Sequence, residues 1–222
     1  MPLQKSKKIL IYLFLFLIIG TFNNKNFLEF NSIINQDFEI DDLSEFSDDK
    51  IINDLSKFKN NNLFFLEKEK VLNVINSHKI IEKFYVFKKY PSNLKIKIEK
   101  AKLLAVTKKD GLNFYIGSNG NLIQSNQISS LPFIFGDVDV IEFLKLKNVI
   151  DNSSFNYDDI KNLYYFKSKR WDIETKNSLI IKLPSEKLEK SFQIISKIFY
   201  NKEFNNFDII DLRQNNQVIL DG

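Results

Sequence analysis

The chain has no cysteine, which excludes disulfide frameworks, zinc ribbons and thiol nucleophiles. It has one histidine, His78, so a Ser-His triad cannot be built unless that residue serves. His78 sits at the end of a helical pattern with no flanking motif, which fits a capping or surface role better than catalysis. H-E-x-x-H, G-x-x-x-x-G-K-[ST], G-x-S-x-G and a G-x-G-x-x-G after a strand are missing as well. Asp41-Asp42, Asp48-Asp49 and Asp158-Asp159 are paired carboxylates, but a glycosidase needs two acids facing each other across a cleft. The formal net charge is only +4, with lysines and acids interspersed, so the concentrated basic face that nucleic acid requires is lacking too. No catalytic residue, metal, cofactor, nucleic acid or small-molecule substrate is expected. Without that chemistry, binding is the expected role.

A long hydrophobic run is also absent, though a short one stands near the start. Lysines at positions 5, 7 and 8 precede an apolar stretch over residues 9–22, which ends at Asn23-Asn24-Lys25. A basic cluster before an apolar segment is what the export machinery reads, and it predicts an N-terminus kept in the cytoplasm with the bulk exported. Fourteen helical residues reach roughly 21 Å, against a hydrocarbon core of about 30 Å. A retained transmembrane anchor is the expectation. A cleavable signal peptide competes, although no A-x-A-like site follows Gly20, and so does a buried core helix.

What is abundant then describes the remainder, since 222 residues at 44% hydrophobic and 27% charged can bury a core. After a tail over 1–8, an anchor over 9–22 and a polar linker over 23–36, residues 37–100 read as strand, helix, helix, strand, strand. Phe38 and Ile40 alternate with charges. Ser47 with Asp48 and Asp49 reads as a helix start for Ile51, Ile52, Leu55 and Phe58. After Asn60-Asn61-Asn62, Val71, Leu72 and Ile75 form a second helical stripe. Residues 84–90, a turn at Pro91-Ser92-Asn93, and the strict alternation of Leu94, Ile96 and Ile98 form a hairpin. From 101 to 222 the pattern is a mostly antiparallel sheet with flanking helices. Asp110-Gly111 and Asn119-Gly120 are hairpin dipeptides, and Leu131-Pro132 with Gly136 punctuates a loop. Residues 138–150 read as a helix; 160–166, 171–175 and 179–183 read as strands, with Trp171 as a core or interface residue. Ser185 is expected to cap a helix whose stripe is Leu188, Phe192, Ile195 and Phe199. Residues 207–212 and 217–220 close the chain as strands around Gln214-Asn215-Asn216. Gln217, Val218, Ile219 and Leu220 then form a last strand able to accept a strand from another chain.

Several short motifs, in order, resemble the FtsQ/DivIB family of bacterial cell-division proteins. Val86, Lys88, Tyr90, Pro91 and Leu94, running into Ile96, Ile98 and Glu99, are similar to the V-x-R-x-[WY]-P-x-x-L-x-[IV]-x-[IV]-x-E pattern of that family's POTRA unit. Asn62-Leu63-Phe64-x-Leu66 resembles its N-L-F-x-[LI]. Ile116-x-x-x-Gly120-x-Leu122-Ile123, Leu131-Pro132-x-Ile134-x-Gly136, Arg170-Trp171-Asp172-Ile173, Ile181-x-Leu183-Pro184 and Asp211-Leu212-Arg213 resemble its later motifs. The chain departs from the pattern at Lys102 and Leu104, where Pro and Ala are frequent, and at Val106, where Trp is. The resemblance implies an α+β protein, with a single transmembrane helix, a POTRA-like β-α-α-β-β domain and a C-terminal β domain. It implies a non-enzymatic divisome scaffold, single-pass in the bacterial inner (cytoplasmic) membrane, its C-terminal domain in the periplasm at the division septum. That scaffold would position septal cell-wall synthesis by binding FtsB and FtsL through Asp211, Leu212, Arg213, residues 217–220 and Trp171. Gln214 and Leu220 stand where the family has aromatics in that contact. An anchored or secreted enzyme on cell-wall glycan and a POTRA-like chaperone module are the alternatives.

Overall fold

The computed structural model describes residues 3–22, 35–41, 49–58, 63, 65–90, 93–124, 130–200, 207–214 and 217–222. Helix α1 (Leu3–Phe22) contains the apolar run, and its side chains over 9–17 are all exposed. Among the described residues no helix is long and apolar enough to cross a membrane, so the structure does not show the transmembrane anchor expected over 9–22. The helix gains its length from turns carrying Lys5, Lys7 and Lys8. Its apolar part alone reaches only about 21 Å.

The remainder divides into two compact units, one of Met1–His78 with Lys83–Glu99, the other of Lys79–Glu82 with Lys100–Gly222. The first unit holds β1 (Asn35–Asp41), α2 (Asp49–Ser56), α3 (Lys68–Ser77), β2 (Ile81–Lys89) and β3 (Asn93–Lys100), in the expected β-α-α-β-β order. Its three strands lie in the order β1-β3-β2. β1 runs parallel to β3, with Phe38 opposite Ile96 and Ile40 opposite Ile98. A parallel neighbour needs a long crossover, which the two helices supply. Because side chains alternate along a strand, Leu94, Ile96 and Ile98 are fully buried, each stabilising by about 1.5–3 kcal/mol. Ile51, Leu55 and Phe58 in and just after α2, with Val71 and Ile75 in α3, add buried apolar stripes. β1 begins at Asn35, so the expected linker over 23–36 is shorter at its end; its other residues lie outside the described ones, as do Ser47, Asp48, residues 60–62, Pro91 and Ser92.

His78 ends α3: its backbone N–H donates to the Ile75 carbonyl, and its ring is almost buried with Nε2 3.1 Å from Asp54 Oδ2. Lys88 has the clearest task in this unit. Its Nζ donates to the Leu63 carbonyl at 3.1 Å and the Leu66 carbonyl at 2.8 Å. The ammonium therefore ties β2 to the chain between the helices, and the motif at 62–66 and the motif at 86–94 are two halves of one clasp.

The second unit is one nine-stranded sheet in the order β12-β11-β10-β9-β8-β7-β4-β5-β6. Its strands are β4 (Leu103–Lys109), β5 (Leu112–Gly117), β6 (Leu122–Gln124), β7 (Phe133–Phe135), β8 (Ile160–Tyr165), β9 (Trp171–Thr175), β10 (Ile180–Lys182), β11 (Ile209–Asp211) and β12 (Ile219–Asp221). β4–β7, β7–β8 and β10–β11 are parallel, and the other neighbours are antiparallel. Helix α4 (Val140–Asp151) bridges β7 to β8, and α5 (Leu188–Tyr200) bridges β10 to β11. Ile134, Leu163, Ile173, Ile181 and Ile210 on the strands form one core with Phe143, Leu146, Phe192 and Ile195 on these helices.

The hairpin turn expected at Asp110-Gly111 holds. Asp110 and Gly111 both have positive φ, 51° and 81°, the combination that a two-residue hairpin requires. Three expectations are corrected. Leu131-Pro132 and Gly136 bracket a strand, β7, where a loop was expected: Pro132 lacks a donor at its threshold, and Ile134 between them is buried. Ser185 does not cap α5, which starts at Leu188 after Lys187 at φ 60°. The stripe of α5 ends on buried Ile198, leaving Phe199 43% exposed, although its ring stacks on Phe155 at 5.9 Å.

Two substitutions test this packing. Lys88→Met keeps the side chain's length but abandons two carbonyls, and it should lower the first unit's stability by about 1–3 kcal/mol in chemical denaturation. Gly136 has φ 105°, and a Cβ there would stand 2.2 Å from the Tyr165 carbonyl oxygen. Gly136→Ala should cost the second unit about 3 kcal/mol, read as a lowered thermal midpoint.

Candidate functional site

Nine strands leave two edges, and one is β12. It pairs with β11 through Ile209–Asp221, Ile210–Leu220 and Asp211–Ile219. Its other side has no partner among the described residues. Gln217 and Val218, expected within this strand, precede it; Asp221 belongs to it. Leu220 packs against the core, whereas Ile219 is 48% exposed. A short strand with an open ladder and an exposed apolar side chain can accept another strand.

The registers also align residues across the face that α4 and α5 do not cover. One row runs Phe135, Tyr164, Asp172, Lys182, Asp211, Ile219. The next runs Val106, Phe133, Asn162, Glu174, Ile180, Ile209, Asp221. In the first row Phe135 stacks on Tyr164 with ring centroids 5.0 Å apart. Asp211 is clasped by Arg213, whose Nε donates to Oδ1 at 2.8 Å and Oδ2 at 2.9 Å, with Nη2 also on Oδ2 and the backbone N–H on Oδ1. Those bonds hold the Asp211 carboxyl below its ordinary value. Burial pushes Asp172 the other way, opposed by Arg170, Arg213 and Lys182. Arg170 Nε is 3.5 Å from Asp172 Oδ1, and its guanidinium lies over the Phe166 ring at 4.3 Å.

In the second row Glu174 collects three donors: Asn162 Nδ2 at 2.9 Å, Lys161 Nζ at 2.8 Å and the Tyr164 hydroxyl at 2.7 Å. Led by Asn162, they hold its carboxyl at about 2 against an ordinary 4.5. Beside the start of β12 lies a groove of about 360 Å³ that includes Lys187, Lys190, Ile194, Leu212, Arg213 and Val218 in its lining.

Of the residues singled out in the sequence, the structure brings Asp211, Leu212, Arg213 and residues 217–220 together at this edge. It does not bring Trp171 to a surface. Trp171 is 1% exposed, packed on Tyr165 at 4.6 Å and Phe143 at 6.4 Å. Leu212 is buried as well, and Asp211 nearly so. The motif residues Val86, Lys88 and Leu94 lie in the first unit with Leu66 and Val71 around a small cavity. Tyr90 is 59% exposed, and Pro91 lies outside the described residues. Asp172, Glu174, Lys182 and Arg170 were not singled out by role. Their signal was the alternation in Trp171-Asp172-Ile173-Glu174, which sends the acids to the face opposite Trp171. Asp158 and Asp159 are exposed and line different grooves, so they share no cleft. No group of three or more His, Asp or Glu able to hold a metal occurs among the described residues.

Residues 105–213 match the family model of the C-terminal region of the cell division protein FtsQ/DivIB. The chain is 25% identical over 175 residues to the cell division protein FtsQ of Rickettsia bellii (strain RML369-C), an alignment covering 77% of this chain and 66% of that protein. It is 26% identical over 193 residues to FtsQ of Rickettsia prowazekii (strain Madrid E), covering 84% of this chain and 69% of that protein. The chain thus spans about two thirds of the length of these curated relatives. Against the solved major extracytoplasmic domain of the trans isomer of DivIB from Geobacillus stearothermophilus the TM-score is 0.34 at 10% identity, covering 44% of this chain and 87% of that one.

The Glu174 network has a signed consequence. A carboxyl whose pKa is depressed on folding stabilises above its ordinary value and loses that contribution as pH falls through the folded one. Stability should therefore drop as pH is lowered from 4.5 toward 2, the window set by Glu174. Glu174→Gln should reduce that slope in denaturation midpoints measured across the window, leaving what Asp211 and Asp54 contribute, whose carboxyls are also held below their ordinary value. An unchanged slope would show that the network does not contribute.

Proposed function

We propose that this chain, whose residues 105–213 match the FtsQ/DivIB family model and which is similar to FtsQ proteins over most of its length, is a non-catalytic division scaffold that holds its partners by strand addition at the open edge of β12. The observation that carries this reading is the pairing of β12 on one side only among the described residues, with Ile219 exposed and Leu220 packed against the core. The partners would be division proteins of the FtsB and FtsL type, and through them the septal wall-synthesis machinery. An added strand gains main-chain hydrogen bonds from the open ladder, with selectivity supplied by the alternate side chains it meets. Arg213 is ready-made for such an edge because its fork is already held by Asp211, which removes rotamer entropy that binding would otherwise cost.

The reading puts the folded units on the outer side of the cytoplasmic membrane at the division septum. The exposed apolar surface of α1 over residues 9–17 would lie in lipid, with Lys7 and Lys8 toward the cytoplasm. The separation of Asp158 from Asp159 into different grooves argues against a glycan-cleaving enzyme, which needs its two carboxyls across one cleft.

Ile219→Lys tests the edge directly, since it replaces the exposed apolar side chain of the edge strand by a charge that resists an added strand and leaves the β11–β12 ladder bonds in place. The variant should lose co-purification with an FtsB-type partner while keeping its thermal unfolding transition. Undiminished co-purification by the folded variant would exclude strand addition at β12.

A further inference from the structure

In the second unit β4, β7 and β8 run parallel as neighbours, and β9 runs back along β8. The starts of β4, β7 and β8 and the end of β9 therefore meet at one end of the sheet. A cavity of about 470 Å³ opens among them. Leu103 and Leu104 of β4, Pro132 before β7 and Ile160 of β8 give it an apolar wall. Its charged lining is Lys102, Lys147 and Lys176 against the single acid Asp158.

Lys147 is already engaged. Its side chain is 14% exposed, and its Nζ pairs with Asp151 and lies 4.3 Å from the centre of the Tyr157 ring. Tyr157 donates its hydroxyl to the Leu104 carbonyl at 2.8 Å, and burial pushes its pKa up, so the ring is fixed and neutral. Lys102 and Lys176 differ. Ser118 holds the Lys102 backbone on both sides, accepting its N–H on Oγ at 2.9 Å and donating to its carbonyl at 2.8 Å. The Lys176 N–H donates to the Asp159 carbonyl at 2.8 Å. Both side chains are exposed, and neither Nζ has an ion-pair partner among the described residues.

We propose that this cavity binds a phosphate monoester that carries an apolar group. Three positive charges and one negative leave the lining a surplus of two, which a dianion matches and a carboxylate does not. A phosphate monoester is dianionic above a second pKa of about 6, and lysines bind it as point charges. The apolar wall receives the ester's organic group, and its low dielectric strengthens the attraction beside it. The site shares no residue with the β12 edge and does not depend on the strand addition proposed there.

The probe is phenyl phosphate, titrated calorimetrically at pH 8 against the full chain in neutral detergent micelles. It should bind more tightly than benzenesulfonate, which has one charge, and than inorganic phosphate, which has no apolar group. It should also shift the amide resonances of Leu103, Leu104 and Lys176. Lys102→Gln with Lys176→Gln should weaken it about tenfold, equivalent to about 1.4 kcal/mol, whereas Asp158→Asn should strengthen it. Micelles doped with phosphatidic acid distinguish the source of the ester: displacement of phenyl phosphate assigns the site to a lipid headgroup, and no displacement assigns it to a soluble ester. Either result upholds the site. No binding of phenyl phosphate, equal binding of benzenesulfonate, or shifts at Lys190 and Arg213 instead would overturn the proposal. The resonance map is read on the unsubstituted chain, so the outcome does not depend on any variant folding.

Discussion

The register of the nine-stranded sheet is the constraint on which the rest of the second unit depends. Side chains alternate along each strand, so sliding one strand by a single residue would exchange its core face for its open face. Ile134, Leu163, Ile173, Ile181 and Ile210 fall on one side because of that register, and bury against α4 and α5. The residues between them then fall into rows, and charged groups from distant parts of the chain come side by side: Asp172, Lys182 and Asp211 are cross-strand neighbours although they lie on three strands. The burial of the apolar set supplies the energy, and the polar rows follow from it.

Within that frame, conserving a hydrogen-bond partner matters more than the charge itself. Lys88 is worth having because two carbonyls in the chain between the helices have no strand to pair with, and its Nζ reaches both. Arg213 closes on Asp211 through both carboxylate oxygens and its own backbone N–H. Glu174 is surrounded by donors from β8. In each case a polar group in a poorly hydrated place is satisfied by a near neighbour, as burial demands. The motifs that stand out in the sequence are therefore first of all local clasps. The surfaces open to other molecules lie beside them, at Ile219 and at Lys102 and Lys176.

Much of this was legible in the residues alone. Leu94, Ile96 and Ile98 alternate so strictly that only a half-buried strand fits. Asp110-Gly111 demanded positive φ, and Ile51, Leu55, Val71 and Ile75 marked helix faces. Other features were hidden for identifiable reasons. β7 has three residues between a proline and a glycine, and punctuation of that kind reads as a loop. Its strand character comes from the parallel neighbours β4 and β8 on either side. Ser185 has the chemistry of a cap, yet the chain turns at Lys187 and begins α5 later. Trp171 looked equally suited to a core or an interface, and only its packing on Tyr165 and Phe143 decides for the core.

By itself, then, the sequence determined which stretches alternate, which turn, which chemistries are missing, and the family that the chain resembles, because periodicity, glycine-bearing dipeptides and motif order are properties of neighbours along the chain. The length of the apolar run was equally plain there: as a helix, the fourteen residues before Asn23 reach only about 21 Å against a hydrocarbon core of about 30 Å. Tertiary structure alone decided which strands are edges, which charges meet, and which of the marked residues are surface and which core. Those depend on pairings between residues far apart in the chain, and such pairings are selected by the burial of the whole apolar set at once.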